Sequence, residues 1–342
     1  MLPVPGTTAP NGSRTLFARK IARIFATCFN LIPRTRAITH RAEVLAVRTV
    51  LVRKTIPGQP SISCSNPEYP EMLNFMSNTS TSGYQYAFLD SGSGGLPYLA
   101  QLRSHAPLAS CVYLADTRHF PYGEKTRDEV ILFASDAVRT LLEHFNPECV
   151  IVACNTISVA ALDSLRQSFD IPFVGTVPAI KLAAASSKNR KIGLLATERT
   201  VCDPYTDDLI AKHAPDCDIT RIGDSTLISR IERELVTATR QERLEAVMPS
   251  VERFRKAGVD TIVLACTHFL HVTDEIREAA GDGIAIIDSR EGVVQQAMRL
   301  VPPRENDHAG SMCYVTGGLS DEGMERFRTY ASLFDSAWGG VL

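Results

Sequence analysis

The chain has 342 residues, 44% of them hydrophobic, with a formal net charge of -2 and a mean hydropathy near zero. That length suffices to bury a large core and suggests about two domains, while no stretch approaches the roughly 20 uninterrupted apolar residues that a membrane-spanning helix needs. The first 80 residues hold ten Lys or Arg against three acids and the rest hold 26 against 35, so the body is acidic and has no general attraction for nucleic acid.

Nine cysteines form neither paired Cys-x-x-Cys ligand sets nor the dense framework of a small secreted domain, which points to free thiols in a reducing, cytoplasmic compartment. Most of them are expected to be small buried hydrophobes.

From Met1 to about Thr81, prolines 3, 5, 10, 33, 57, 60, 67 and 70 interrupt any periodic pattern. Residues 1–83 are therefore expected to be an appendage, disordered or read from an early start codon. Its arginine-rich, acid-poor stretch from Arg14 to Lys54 equally resembles a transit peptide. From Tyr84 onward, short apolar runs alternate with amphipathic segments, the pattern of a parallel sheet covered on both faces. The predicted strands are Tyr86–Leu89, Cys111–Ala115, Val150–Ala153, Phe173–Val174, Ile192–Ala196, Thr261–Ala265, Ile284–Ile287 and Cys313–Thr316. A helix is predicted from Arg127 to Phe145, with Val130, Ala134, Val138, Leu141, Leu142 and Phe145 on one face and a stop at Asn146-Pro147.

Two units look alike. Val150 to Thr156 and Thr261 to Thr267 each run a buried strand into alanine, cysteine and then threonine within two residues, which a duplicated α/β half explains. Ligands of open α/β sheets gather at the carboxyl ends of strands, where helix N-termini offer free N–H groups and lower the pKa of a nearby thiol. Cys154 and Cys266 both fall there.

Asp90-Ser91-Gly92-Ser93-Gly94-Gly95 follows the first strand, and its glycines are expected to let the backbone curl round an anion. It lacks a P-loop lysine and the spacing of a dinucleotide fingerprint, so a nucleotide is disfavoured. Asp90 suits a substrate ammonium group or a catalytic thiol. Asp116 and Phe120-Pro121-Tyr122-Gly123-Glu124-Lys125 make a further loop at the same sheet edge, and His268, two residues past Cys266, is placed to assist that thiol.

Taken together, Asp90-Ser91-Gly92-Ser93-Gly94-Gly95, Pro121-Tyr122-Gly123, Cys154-Asn155-Thr156 and Cys266-Thr267-His268 resemble, in order and spacing, the glutamate racemases of the aspartate/glutamate racemase family. The resemblance covers about Tyr84 to Met298, and His268 stands where aspartate racemases typically carry glutamate. It implies an α/β fold of two similar parallel-sheet domains related by pseudo-twofold symmetry, with the active site in the cleft between them. Residues 84–177 with 289–335 would form the first domain and 178–288 the second. It further implies a cytoplasmic homodimer that uses neither metal nor pyridoxal cofactor, binds glutamate but no nucleic acid or membrane, and supplies D-glutamate for peptidoglycan and the cell wall.

Residue by residue, the resemblance makes Cys154 and Cys266 the catalytic pair, serving the D- and L-glutamate faces respectively. Asp90, Ser91, Tyr122, Gly123, Asn155, Thr156, Thr267 and His268 match substrate-binding positions, with Asp90 and His268 also supporting catalysis. Glu232 falls where the family often has a supporting acid, although the usual preceding Cys-Pro is absent, and Phe269-Leu270-His271 replaces the usual tyrosine and proline after His268. Two other readings remain open at this point: a racemase or isomerase of aspartate or another small acid, and a two-lobed solute-binding protein needing a pocket but no reactive thiols.

Overall fold

In this chain each stretch that combines β-branched or aromatic residues with burial on both faces becomes a parallel strand, and the segment after it becomes a helix. The computed structural model describes residues 83–305 and 309–342, all within the compact unit Ser80–Leu342. But for Gly83, the expected extension lies outside the described residues. Strands β1 (Tyr86–Asp90), β2 (Ser110–Ala115) and β3 (Cys149–Val152) are followed by helices α1 (Leu96–His105), α2 (Arg127–Phe145) and α3 (Asn155–Ser168), and β4 (Phe173–Gly175) by α4 (Ile180–Ser186). Next come β5 (Lys191–Ala196), α5 (Glu198–Cys202), α6 (Pro204–His213), β6 (Asp218–Gly223), α7 (Ser225–Arg230), a π-helical turn over Ile231–Leu235, and α8 (Arg240–Ala257). The chain continues with β7 (Thr261–Leu264), a 3-10 segment over Thr267–Val272, α9 (Thr273–Ala280), β8 (Ala285–Ile287), α10 (Arg290–Leu300), β9 (Gly310–Val315), α11 (Asp321–Leu333) and β10 (Ala337–Val341).

The strands form two sheets, ordered β10-β9-β2-β1-β3-β4 and β6-β5-β7-β8, with every pairing parallel. Each sheet thus contains the order second, first, third, fourth, and β9 and β10 extend the larger one. The duplication read from the cysteine motifs recurs in the hydrogen bonds: Ala153 N donates to Leu89 O and Ala265 N to Leu195 O, both at 2.8 Å.

Alternation along the strands separates the core into layers. Tyr86, Phe88, Tyr113 and Ile151 pack with Leu96, Leu99 and Leu102 of α1 and Val294 and Ala297 of α10. Ala87, Leu89, Val112, Leu114 and Val152 pack with Val130, Ala134, Val138 and Leu141 of α2. In the smaller sheet Gly193 belongs to the strand interior because Phe254 of α8 presses on it: a Cβ there would come within 2.6 Å of the ring.

The predicted helix Arg127–Phe145 forms with those bounds, held by a Thr126/Glu129 capping box and ended by Asn146 in the left-handed conformation, at φ 43°. All eight predicted strands form; β9 begins three residues earlier than expected, at Gly310. Two strands went unread. β6 and β10 are sheet edges, so β6 buries only Ile222 fully, and Gly339-Gly340 with a register shift dilutes the pattern of β10. The latter strand lies beyond the expected end of the first domain at residue 335. Among the described residues no helix is long and apolar enough to cross a membrane.

Candidate active site

The order second, first, third, fourth creates a switch point between the first and third strands of each sheet, where successive connections leave in opposite directions and open a crevice at the carboxyl ends. Asp90 and Cys154 stand at that point in the larger sheet, Thr197 and Cys266 in the smaller. One cavity is lined by Ser91, Tyr122, Gly123, Asn155, Thr156, Thr267, His268 and both thiols. Asp90 and Glu232 complete the expected set from behind this lining, both fully or nearly fully buried.

The two thiols meet different surroundings. Burial pushes Cys154 well above the usual thiol range, and the adjoining Asp90 carboxylate adds to the effect. The lowering expected from the N-terminus of α3 is therefore overridden, because desolvation in a closed core outweighs partial peptide charge. Burial likewise raises Asp90, to about 6, with His268 and the Ser91 N–H opposing it. Thr267 Oγ1 donates to Asp90 Oδ2 at 3.1 Å.

At Cys266 the neighbour is an imidazole. Its sulfur lies 3.7 Å from His268 Nδ1, and His268 Nε2 lies 3.1 Å from Glu232 Oε2. Burial works against charge on His268, yet its bonds to Cys266 and Glu232 more than offset this and hold its pKa well above the ordinary value. Burial raises Glu232, but His268 and Ser93 bring it below the usual carboxylate range. The imidazolium and carboxylate are thus a buried ion pair beside the second thiol.

The glycine-rich loop does receive an anion, and the anion is Glu232. Ser93 N donates to both of its oxygens, at 3.2 and 3.1 Å, and Ser93 Oγ donates to Oε2. A Cβ on Gly92 would sit 2.6 Å from the Glu232 carboxylate, and one on Gly94 would sit 2.5 to 2.8 Å from Thr267 Oγ1 and from His268 N and Nδ1. The glycines allow close approach of the loop to these groups. His271, where the sequence departs from the family pattern, bonds through Nε2 to Ser93 O at 3.0 Å, and burial lowers its pKa to about 4, so it is the neutral ring that donates.

Tyr122 lines the cavity, but its hydroxyl donates to Asp116, which also accepts from Thr316 Oγ1 at 2.7 Å and faces His119 Nδ1 at 2.8 Å. Asn155 is 3% exposed and neither side-chain polar atom has a hydrogen-bond partner among the described residues, a costly state that a polar ligand would relieve. Sequence reasoning missed Thr197, Ser225, Ile228 and Ser229, which also line the cavity. Thr197 was recoverable, since duplication makes it the counterpart of Ser91: Asp90 O and Ala196 O accept the equivalent bonds from Asp116 N and Asp224 N, one residue before each. The other three sit on α7 behind the unread strand β6.

Among the described residues no group of three or more His, Cys, Asp or Glu is arranged to hold a metal ion.

A sequence profile of the family described as Asp/Glu/Hydantoin racemase matches residues 98–297. A glutamate racemase of Treponema pallidum is 44% identical over 259 residues, covering 76% of this chain and 97% of that one. One from Shewanella loihica is 35% identical over 255 residues, covering 72% and 95%. Among solved structures, Escherichia coli glutamate racemase in complex with L-glutamate and the activator UDP-MurNAc-Ala matches with a TM-score of 0.67 and 29% identity, over 76% of this chain and 98% of that chain.

Two parallel sheets with matching strand orders and a cavity lined by residues of both, joined to these similarities, define an amino-acid isomerase. The chain belongs to the Asp/Glu/Hydantoin racemase family, as an amino-acid racemase of the glutamate racemase type.

Proposed function

We propose that the chain interconverts L- and D-glutamate by proton transfer between Cys154 and Cys266, without a cofactor. The observation that carries this reading is that two buried thiols at equivalent strand ends line the same cavity. Each half of the duplicated fold, 84–177 with 289–335 and 178–288, supplies one of them. The L-glutamate bound to the E. coli relative supports glutamate as the substrate.

The α-proton of an amino acid is weakly acidic, so its removal needs a positioned base, stabilisation of the carbanion and a proton donor on the other face. The asymmetric surroundings suit those roles. Cys266 lies beside the His268 imidazolium, 3.7 Å from Nδ1, whereas Cys154 is held as the neutral thiol by burial. In the L-to-D direction the Cys266 sulfur takes the α-proton and the Cys154 thiol delivers one to the opposite face. In reverse, Asp90, with a pKa of about 6, is the adjacent base that draws the proton from Cys154.

Ser91, Gly123, Thr156 and Thr267 offer N–H and O–H donors to the substrate, with Tyr122 forming the wall between them. The orphaned Asn155 amide meets the α-carboxylate or ammonium group, and charge flowing into that carboxylate is stabilised by preorganised donors and the N-terminus of α3. The family resemblance carries with it a cytoplasmic homodimer that makes D-glutamate for peptidoglycan.

The test is chiral chromatography of L- and of D-glutamate incubated with protein dialysed against a chelator, with no pyridoxal phosphate added. Both enantiomers are expected to reach the racemate. An unchanged enantiomer, or activity only with pyridoxal phosphate, would overturn the proposal.

A further inference from the structure

Five consecutive residues, Phe120 to Glu124, make the longest unbroken stretch of the cavity lining, yet they belong to no strand and form only the short 3-10 turn Tyr122–Glu124. A wall of that kind takes its position from tethers to its surroundings. Among the described residues, two hydrogen bonds join Pro121 to Lys125 to other segments: Arg199 Nε donates to Lys125 O at 2.7 Å, and the Tyr122 hydroxyl donates to Asp116. The second is the buried one, with Tyr122 and Asp116 at 1% and 2% exposure. The wall also meets the smaller sheet, since a Cβ on Gly123 would lie 3.0 Å from Thr197 Cβ and Cγ2.

Asp116 stands at the carboxyl end of β2 and collects side chains from separate segments. Tyr122 donates to Oδ2 and Thr316 to Oδ1, the latter at 2.7 Å, while His119 Nδ1 faces Oδ2 at 2.8 Å with its ring stacked on Phe133 of α2. Thr316 directly follows β9, a strand without a counterpart in the smaller sheet. The residues after it press on the same loop: Thr117 Oγ1 donates to Gly317 O at 2.7 Å, and a Cβ on Gly318 would come within 3.1 Å of Arg118 Cα. The added strand thereby braces the carboxylate.

Duplication supplies an internal comparison. Asp116 N and Asp224 N donate to equivalent carbonyls, Asp90 O and Ala196 O, so each sheet places an aspartate directly after its second strand. Asp224 serves its own backbone, capping α7 by accepting from Leu227 N at 2.9 Å. Asp116 precedes the 3-10 turn Thr117–His119 but accepts no capping bond from it. Its oxygens go to side chains instead, and one of those belongs to the cavity wall. Burial, with the Asp116 charge adding to it, raises the Tyr122 pKa well above the ordinary phenol value, so the hydroxyl stays a donor to Asp116.

We infer that Asp116 is a positioning residue for racemisation: through the Tyr122 hydroxyl it fixes the Tyr122-Gly123 wall against which the substrate is oriented. This rests on the glutamate-racemising reading above and adds to it a residue that lies outside the cavity.

The test uses the full chain with Asp116→Ala, Asp116→Asn, Tyr122→Phe, the paired change Asp116→Ala with Tyr122→Phe, and Thr316→Val. It measures kcat/KM for both enantiomers, the glutamate concentration that half-protects the thiols from iodoacetamide, and the melting temperature. Misplacing a bound substrate by about 1 Å costs roughly 100-fold, so Asp116→Ala should lower kcat/KM about 100-fold and raise the half-protecting concentration about tenfold. Asp116→Asn should recover to within about fivefold of the parent, because the amide oxygen still accepts from Tyr122 while the Thr316 hydroxyl accepts from the amide. Tyr122→Phe should lower kcat/KM about tenfold or more, and the paired variant should fall within about threefold of Asp116→Ala, since both changes cut one tether. Thr316→Val should raise the half-protecting concentration about threefold by loosening Asp116 alone. Single losses that multiply in the paired variant overturn the inference, as does an Asp116→Asn no better than Asp116→Ala. A lower melting temperature in Asp116→Ala with kcat/KM within about threefold of the parent also overturns it, because that marks a purely structural role. If Asp116→Ala does not fold, an unchanged half-protecting concentration in Thr316→Val does the same. A parent protein that fails to racemise glutamate would overturn the functional reading itself, a distinct result.

Discussion

Thr267 Oγ1 donates to Asp90 Oδ2 at 3.1 Å, joining the residue after one thiol to the carboxylate beside the other. The bond crosses from the end of β7 in one sheet to the end of β1 in the other, so the surroundings of the two thiols are one hydrogen-bonded unit. Substitutions in either half are expected to be felt in both.

Replacing either thiol separates inversion from exchange. Cys154→Ser and Cys266→Ser should each lower racemisation at least 1,000-fold, an order of magnitude set by loss of a matched acid or base and of the thiolate it becomes. Because the equilibrium constant between enantiomers is unity, kcat/KM must fall equally in both directions, and the direction-specific information lies in exchange. Proton NMR in deuterated water should show Cys266→Ser exchanging the α-proton of D-glutamate faster than that of L-glutamate, and Cys154→Ser the reverse. Near-parental inversion by either variant would leave the thiols as buried structural residues.

Asp90 links activity to stability. Its folded pKa of about 6 lies above the unfolded value near 3.9. The folded state therefore holds an extra proton between these values, giving a stabilising contribution that is present below about pH 4 and lost as pH rises through 6. Asp90→Asn removes that dependence and should be more stable than the parent at pH 8 by up to about 3 kcal/mol, with the advantage vanishing near pH 4. Racemisation by the parent should rise through about pH 6 as Asp90 ionises, and the variant should lose that limb together with most of its activity. Urea denaturation at pH 4, 6 and 8 checks the first statement; stability curves of parent and variant that run parallel across this range would exclude it.

The glycine loop tests close packing against the groups beside Cys266. At Gly94 a methyl group meets the Thr267 hydroxyl and the His268 backbone and ring, none of which can withdraw without moving the site. Gly94→Ala should cost about 1–3 kcal/mol of stability and reduce kcat/KM by roughly 100-fold. Gly292, in α10, would place a Cβ in open space, with nothing within 4 Å, so Gly292→Ala should leave activity unchanged and stabilise by up to about 1 kcal/mol. Thermal melts and initial rates of the two variants make the comparison.

Much of the fold and of the candidate site's layout was legible in the residue order, for reasons that can be traced to particular positions. Val150–Val152 and Ile262–Leu264 are continuous apolar runs because parallel strands are covered on both faces, and a thiol breaking such a run at its carboxyl end stands out. Asp218–Gly223 mixes charge with two isoleucines because only one edge and little of either face is covered, and so it passes for a loop. With β6 unread, α7 had no assigned place, and Ser225 and Ser229 gave no signal. The glycines were recognised as a close-approach device, but the anion they approach is supplied by Glu232, 140 residues after Gly92 in the chain, and spacing alone does not pair residues that distant. The pKa of Cys154 was misjudged for a similar reason: a helix N-terminus is visible in sequence, while the depth of burial that outweighs it is not.

His268 provides the sharpest separation of reactivity from folding. The imidazolium lies between Cys266 and Glu232, so His268→Gln both removes positive charge from the thiol and leaves a buried carboxylate without its cation. The first effect should slow alkylation of Cys266 by iodoacetamide at pH 7 at least tenfold, with Cys154 changed less than twofold, as followed by peptide mass spectrometry. The second should destabilise the fold by about 3 kcal/mol, since the Ser93 donors to Glu232 remain and soften the loss of the ion pair. Pairing the change with Glu232→Gln removes the stranded charge, because a neutral amide can accept from Ser93 N without a counter-ion. The double variant should regain most of the melting temperature while Cys266 stays slow to alkylate and racemisation stays low. Recovery of both stability and Cys266 reactivity would show that His268 acts only by neutralising Glu232. Alkylation of Cys266 at the parental rate in the single variant would show that the imidazolium does not govern that thiol at all.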